Sequence, residues 1–392
     1  MNNVVIVSAC RTPIGKLGGQ FKNCTALDLS IPIMQALVEK ANLDATLIDD
    51  VIWGCNYQRT YKENNLARVA AVKAGLPVTV PGITIHRNCT SSMSSIQMGY
   101  YQIKSGEAKC IMAGGADSMS TAPHMVFDNR FGKKFGHSEM RDSMWDSLTN
   151  LGVGPSMGIT AENVAEKYGV SRAEQDEYAL LSQQRAIAAI DQNKFDAEII
   201  PVTVKSRKGD ILVTQDEYPK REASLESLKK LKATFKEEGT VTAGNASGMN
   251  DAASGIILMD EALAKSLGLP ILARIVSVAT TGVEPEYMGI GPISASQLAL
   301  KKANLSIEDI DLFEINEAFA SQCIACEKTL GIDRDKLNVN GGGISLGHPV
   351  GATGSRIVIT LLYEMKKRNN RYGLASLCAG GGMGTAIILE NL

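Results

Sequence analysis

The chain has 392 residues, 44% apolar and 21% charged, with a net charge of −2 at neutral pH. It is too long for one ordinary hydrophobic core, and it lacks the basic footprint of a nucleic-acid binder. No apolar run approaches the roughly 18 residues of a membrane span, so the composition predicts a soluble globular protein with no membrane partner.

The run at 4–7 predicts a first strand and not a signal peptide, because no basic region precedes it. A helix over 26–41, a strand at 51–53 and a helix over 64–74 follow, the last ended by Gly75 and Pro77. After a strand at 83–85 the chain turns at Cys89 and enters a helix over 91–104, stopped by Gly106. A strand at 110–113 then runs into Gly114-Gly115. This alternation predicts an α/β architecture with a mostly parallel sheet covered by helices.

The last third repeats the plan. Strands are expected at 271–278, 312–315, 337–340 and 374–378. Helices are expected from a capping box at Ser294-Ala295-Ser296-Gln297 to about 303, and over 317–330 and 353–367. Two local likenesses suggest a duplication: residues 111–116 with 377–382, and residues 253–258 with 384–389. The expected division is a first half at 1–119 and 241–268, an inserted segment at 120–240, and a second half at 269–392. The insertion should hold a helix capped at Ser171-Arg172-Ala173-Glu174, and a hairpin of 202–204 with 211–213 turning at Lys208-Gly209-Asp210.

Two cysteines and one of only four histidines sit in Gly- or Ser-rich turns: Asn88-Cys89-Thr90-Ser91-Ser92, Gly347-His348-Pro349 and Cys378-Ala379-Gly380-Gly381-Gly382. Cys89 lies just before a helix, where free N–H groups and the helix dipole would favour a thiolate and lower its pKa. A small buried cysteine is the plain alternative, but the polar flank argues against it. His348 is fixed between glycine and proline, as an acid–base imidazole needs to be, although a solvent-facing turn histidine would look similar. Cys378 ends an apolar strand, and the following glycines leave N–H groups free for an oxyanion. Asn316, at a strand-to-helix junction, is either a helix cap or an amide that positions water or an oxyanion. Cys323-Ile324-Ala325-Cys326 lies inside a helix without a second ligand pair, so neither zinc nor thioredoxin-type chemistry suits it. No metal site is expected.

Together these turns resemble the thiolase family along essentially the whole chain. The resemblance rests on Arg11-Thr12-Pro13-Ile14-Gly15, Asn88-Cys89, Gly244-Asn245-Ala246-Ser247-Gly248, Asn316-Glu317-Ala318-Phe319-Ala320, the glycine-framed His348 turn through Gly354, and the Cys378–Gly384 turn. The biosynthetic acetyl-CoA acetyltransferases are the nearest branch. The resemblance implies two thiolase half-domains with mixed central sheets covered by helices, a loop domain covering coenzyme A, cytoplasmic location and a homotetramer. It also implies acetyl-CoA, acetoacetyl-CoA and CoA as substrates and products, with no cofactor. By position, Cys89 would be the acylated nucleophile and Cys378 the acid/base thiol. His348 would activate Cys89 and, with a water held by Asn316, stabilise the enolate oxygen, and the N–H groups of Cys89 and Gly380 would form a second oxyanion hole. Ser247, Met157, Met288, Phe235, Phe319 and Ala318 would line the pantetheine path, with Lys220 and Arg221 near the nucleotide end. A degradative 3-ketoacyl-CoA thiolase of broader chain length would use the same residues.

The chain departs from the family's pattern in three places, one of them Lys220-Arg221, which stands where an arginine near the nucleotide end is frequent. Thr90-Ser91-Ser92-Met93 follows Cys89 where many members have Gly-Ser-Gly-Leu, and Ser156 stands where related enzymes often carry a histidine.

Overall fold

The computed structural model describes residues 2–207 and 209–392. Its long apolar strands join in one ten-stranded mixed sheet. From one edge the order is Leu312–Ile315, Tyr372–Ala379, Met383–Glu390, Ala273–Gly282, Val4–Arg11, Asn250–Asp260, Cys110–Ser118, Asp50–Gly54 and Gly82–Ile85. The two-residue strand Gly15–Lys16 pairs with Asn250–Asp260.

Read inward from its two edges, this order shows the duplication. Asp50–Gly54 is parallel to Cys110–Ser118, as Leu312–Ile315 is to Tyr372–Ala379. The next pairings are antiparallel in both halves. Each half also has a register shift in its innermost strand, between Ile6 and Ser8 and between Ile275 and Ser277. An extra residue at such a bulge bends the strand and increases its twist. The halves meet where Val4, Val5 and Ile6 pair with Ile275, Arg274 and Ala273.

One of the two sequence likenesses is real. Ile257 lies opposite Ser8 and Ile388 opposite Ser277, so 253–258 and 384–389 occupy matching strands in register. The other is coincidental. Ile111 faces Leu258, whereas Leu389, the counterpart of Leu258, faces Gly373, so the true match to Ile111 lies four residues before Leu377.

Both sheet faces are covered. On one, Val5 and Val7 pack with Leu29, Ile33 and Leu37 of the helix Ala26–Ala41. In the second half the same face packs against the helices Gly291–Ala303 and Ala320–Leu330. On the other face, one core joins both halves: Val4, Ile6 and Leu258 meet Ile96 and Ile103 of the helix Ser91–Ser105 and Ile357 and Leu361 of the helix Val350–Arg368. The two helices approach so closely that a Cβ on Gly354 would stand 2.4 Å from the Met93 backbone nitrogen. Glycine is required there for the backbones to touch.

Several boundaries move for identifiable reasons. Pro292 opens its helix at Gly291, so Ser294 is an interior residue that bonds the Gly291 carbonyl and Thr281, not a cap. The expected helix over 317–330 begins at Ala320, and the one over 353–367 begins at Val350. The expected strand at 337–340 reduces to isolated bridges, Phe313 with Leu337 and Val339 with Gly341. The 202–204 and 211–213 hairpin forms, although Lys208 of its turn lies outside the described residues.

The Arg11 motif fastens the 120–240 segment to the first strand. The buried Arg11 guanidinium bonds Glu198 at 2.7 Å and grips Asp216 through both terminal nitrogens, at 2.7 and 3.0 Å.

Candidate active site

Cys89 sits in the turn between the strand Gly82–Ile85 and the helix Ser91–Ser105. Asn88 takes a left-handed φ of 47°, which asparagine tolerates well. Ser91 Oγ accepts from Arg87 N at 2.9 Å and donates to the Asn88 carbonyl at 2.7 Å, while Thr90 Oγ1 donates to the Arg87 carbonyl. The Thr-Ser-Ser sequence thus stiffens the turn by bonding its own backbone. Asn88 Nδ2 also donates to the Gly380 carbonyl at 2.7 Å, joining residues 292 positions apart.

One electrostatic expectation is corrected. The Cys89 thiol is pushed up to about 11, chiefly by burial and further by the Asp117 carboxylate. The backbone amides of Gly380 and of Cys89 itself pull the other way, without prevailing. Proximity to the helix start does not make a resting thiolate.

His348 is buried. Its backbone N–H donates to Asn250 Oδ1 at 2.9 Å, and its Nδ1 lies 2.7 Å from Thr353 Oγ1. Thr353 gives its only hydroxyl proton to the Pro349 carbonyl at 2.9 Å, so the proton between His348 and Thr353 belongs on Nδ1. The Nε2 lone pair is left over, buried and without a hydrogen-bond partner among the described residues. Burial and, secondarily, the Arg356 cation push the imidazole down to about 3, which keeps it neutral near pH 7. Asn316 Nδ2 stands 3.5 Å from Nδ1, a contact between two donors and not a bond. The Asn316 backbone donates to the Ser376 carbonyl, and its Oδ1 is buried without a partner among the described residues.

Cys378 is buried at the end of the strand Tyr372–Ala379. Its thiol is raised far above the ordinary value by burial, then by neighbouring Cys89 and Cys326. The sulfurs at 89 and 378 therefore lie within electrostatic reach of each other. Gly381 and Gly382 have φ of 87° and 85°, a reversal in the left-handed region that glycine permits and that brings Gly380 N–H back toward Cys89.

A cavity of about 460 Å³ opens onto Cys89 and Gly380, bounded by Tyr57, Met125, Leu148, Leu151, Met157 and Val350. Met157 also packs into an apolar cluster of Cys378, Met288, Ala318 and Phe319, so it forms the shared wall. Phe319 meets the half-exposed Phe235 edge to face at 6.3 Å. Ser247 N donates to the Ala318 carbonyl at 3.0 Å. His348, Asn316 and Cys378 do not line the cavity itself; Cys378 reaches it through Met157.

Lys220 and Arg221 lie outside this group. Lys220 N is tied to Gln183 Oε1 and its ammonium sits over the Tyr218 ring, while Arg221 makes a paired contact with Asp191 at 2.6 and 3.0 Å. Ser156 precedes the helix Met157–Tyr168 without a side-chain capping bond. Cys323 and Cys326 turn into the core toward the carbonyls of Ile315 and Gly289. The sequence reading missed Asn250, Thr353 and Asp117. Of these only Thr353, five residues after His348 in the same glycine-framed turn, carried a local signal.

Comparison with known proteins agrees with this geometry. Residues 4–262 match the family model described as thiolase, N-terminal domain, and 269–391 the one described as thiolase, C-terminal domain. The chain is 47% identical to the acetyl-CoA acetyltransferase of Pseudomonas aeruginosa, covering 100% of both. Among solved structures, the Bacillus anthracis acetyl-CoA acetyltransferase superposes with a TM-score of 0.98 at 46% identity, covering 100% of this chain and 99% of that one. Human mitochondrial 3-ketoacyl-CoA thiolase in complex with CoA superposes at 0.96 with 43% identity, covering 100% and 98%.

Proposed function

This chain belongs to the thiolase family, and from that premise we propose that it is an acetyl-CoA C-acetyltransferase, joining two acetyl-CoA into acetoacetyl-CoA and free CoA. The observation that carries the reading is that Cys89 and Gly380 line one cavity while Asn88 Nδ2 grips the Gly380 carbonyl at 2.7 Å.

A thiol pushed up to about 11 needs a base, and a neutral His348 with its Nε2 lone pair free can take that proton. The thiolate attacks the acetyl carbonyl. The carbonyl oxygen becomes an oxyanion held by the Cys89 and Gly380 N–H groups, and CoA leaves with the proton of the Cys378 thiol, making that sulfur a thiolate. The Cys378 thiolate then takes a methyl proton from a second acetyl-CoA, and the enolate oxygen is stabilised by the Nε2–H that His348 gained from Cys89, together with Asn316, until Cys89 recovers that proton on release. The carbanion attacks acetyl-Cys89, acetoacetyl-CoA departs, and each sulfur ends as it began. In reverse the site thiolyses a 3-ketoacyl-CoA. Ser247, Phe235, Phe319, Met157, Met288 and Ala318 would carry the pantetheine arm, with Lys220 and Arg221 toward the nucleotide and segment 120–240 as the cover.

A second reading, broader chain length, is favoured by the cavity of about 460 Å³, far more than an acetyl group fills. We place the enzyme in the cytoplasm as a homotetramer. All eight cysteines are free thiols, which suits a reducing compartment. The segment around 125–145 holds out Phe131 and Phe135, each 96% exposed, with Phe127, Met140 and Trp145, as an unpaired interface would. No described helix is long and apolar enough to cross a membrane.

The test is mass spectrometry of protein briefly exposed to acetyl-CoA. One added acetyl group on Cys89 is expected; acetylation elsewhere or none removes the reading.

A further inference from the structure

Asp117 ends the strand Cys110–Ser118, fully buried, and every group bonded to its carboxylate is a donor. Oδ1 accepts from Asn56 N at 2.8 Å, Tyr57 N at 3.1 Å and the Cys55 thiol at 3.5 Å. Oδ2 accepts from Asn56 Nδ2 at 2.9 Å and Gly351 N at 2.6 Å. Four N–H donors on the carboxylate favour the anion against the burial that raises its pKa. Asn56 and Tyr57 are walls of the cavity over Cys89, and Asn56 Oδ1 is within 3.5 Å of Ser91 Oγ in the nucleophile turn. Gly351 lies in the first turn of the helix whose Thr353 holds His348, and that helix end favours a negative charge.

We propose that Asp117 is a positioning residue for the acyl-transfer step: its single carboxylate ties the cavity wall beside Cys89 to the helix end that orients His348, and so sets base against nucleophile. The proposal rests on the thiolase reading above. Asp117 touches neither substrate nor the reacting atoms. It reaches the chemistry through Asn56 and Tyr57 on one side and Gly351 on the other. Asparagine is the informative replacement because it keeps the shape but has one acceptor oxygen. It can serve the Asn56–Tyr57 side or the Gly351 side, while its amide hydrogens oppose the donors of the other.

The charge also gives a readout that a purely structural residue would lack. The titratable groups around Cys89 are Asp117, Tyr57, Cys378, the base His348 and His86, which lines the same cavity. Of these only Asp117 is an anion at neutral pH, and an adjacent anion opposes thiolate formation. Removing it should make Cys89 easier to ionise even as catalysis falls.

The experiment compares full-length wild type with Asp117→Asn and Asn56→Ala. It reads kcat and KM for acetoacetyl-CoA thiolysis, and iodoacetamide labelling of the Cys89 and Cys378 peptides between pH 7 and 10. For Asp117→Asn we expect kcat to fall about 100-fold with KM changed less than about threefold. Cys89 labelling at pH 8 should rise while Cys378 labelling does not. Asn56→Ala, which frees one arm and leaves the charge, should lower kcat about threefold to tenfold without moving the labelling profile. An unchanged kcat overturns the proposal. So does a lost kcat with an unmoved or slower Cys89 profile, which marks a structural residue only. If Asp117→Asn does not fold, an unchanged kcat in Asn56→Ala overturns it alone. Labelling needs no acyl-CoA, so a wrong substrate assignment would leave the labelling outcome intact.

Discussion

His348 Nδ1 stands 2.7 Å from Thr353 Oγ1, and the Thr353 hydroxyl proton is already committed to the Pro349 carbonyl. The helix that begins at Val350 therefore selects the imidazole tautomer. Thr353→Val should remove that selection while keeping size, lowering kcat about tenfold or more and stability by about 1 kcal/mol, with Thr353→Ser restoring most of both. Steady-state thiolysis and a thermal melt check it; a valine variant with full kcat would show that the hydroxyl does not govern the base.

A histidine held down to about 3 should leave no inflection near 6.5 in the pH profile of kcat/KM for acetyl transfer, since the free enzyme keeps the neutral base there. The stability sign follows by linkage. The unfolded chain protonates this residue near 6.5 and the folded one only near 3, so the contribution is present above 6.5 and lost as pH falls through that window. Melts from pH 8 down to pH 4 should decline more steeply for wild type than for His348→Asn; parallel curves would contradict the assigned burial.

Two glycines in one turn should fail differently. A Cβ at Gly380 meets the flexible ends of Leu151, at 2.6 Å, and Met157, at 3.2 Å, so Gly380→Ala should fold and lose acyl transfer. At Gly382, with φ 85°, it meets the Val283 carbonyl at 2.2 Å, so Gly382→Ala should lose about 2 kcal/mol or more of stability. Melting temperature and activity for both variants decide it, and a stable Gly382→Ala would refute the reading of that contact.

Chain length is open to direct competition. Four-carbon 3-ketoacyl-CoA should be thiolysed faster than the ten-carbon substrate if the site is tuned to acetyl transfer. Faster turnover of the longer substrate would assign the cavity beside Cys89 to an acyl tail and make the broader thiolase the correct description.

Exposed Phe131 and Phe135 should matter for assembly and not for the fold. Replacing both by serine should lower the mass measured by light scattering from that of a tetramer, with the melting curve of the protomer core retained. A mass unchanged from wild type would place the interface elsewhere.

Much of this was legible in the chain because its chemistry sits in short, unusual turns. Cys89, His348 and Cys378 stood out through their glycine, proline and serine neighbours, and the alternation of runs gave the duplicated plan. What escaped is what depends on distant partners. Asp117 reads as one more acidic residue until Asn56 and Gly351 arrive around it. Asn250 gives no hint that it will hold the His348 backbone. The Cys89 pKa was misjudged because proximity to a helix start is local and visible, whereas the burial that outweighs it comes from the whole fold. The false match of Ile111 with Leu377 failed for a related reason: glycine-rich strand ends look alike wherever they occur, and only register separates them.

The two halves pair at three positions in the middle of the sheet, share one continuous apolar core, and bring their helices into contact at Gly354. Since the nucleophile belongs to one half and the base and second thiol to the other, neither half alone carries a complete catalyst. The join between the halves is thus part of the catalytic apparatus. A bulky substitution at Ala273 could silence the enzyme from afar with every reactive group intact.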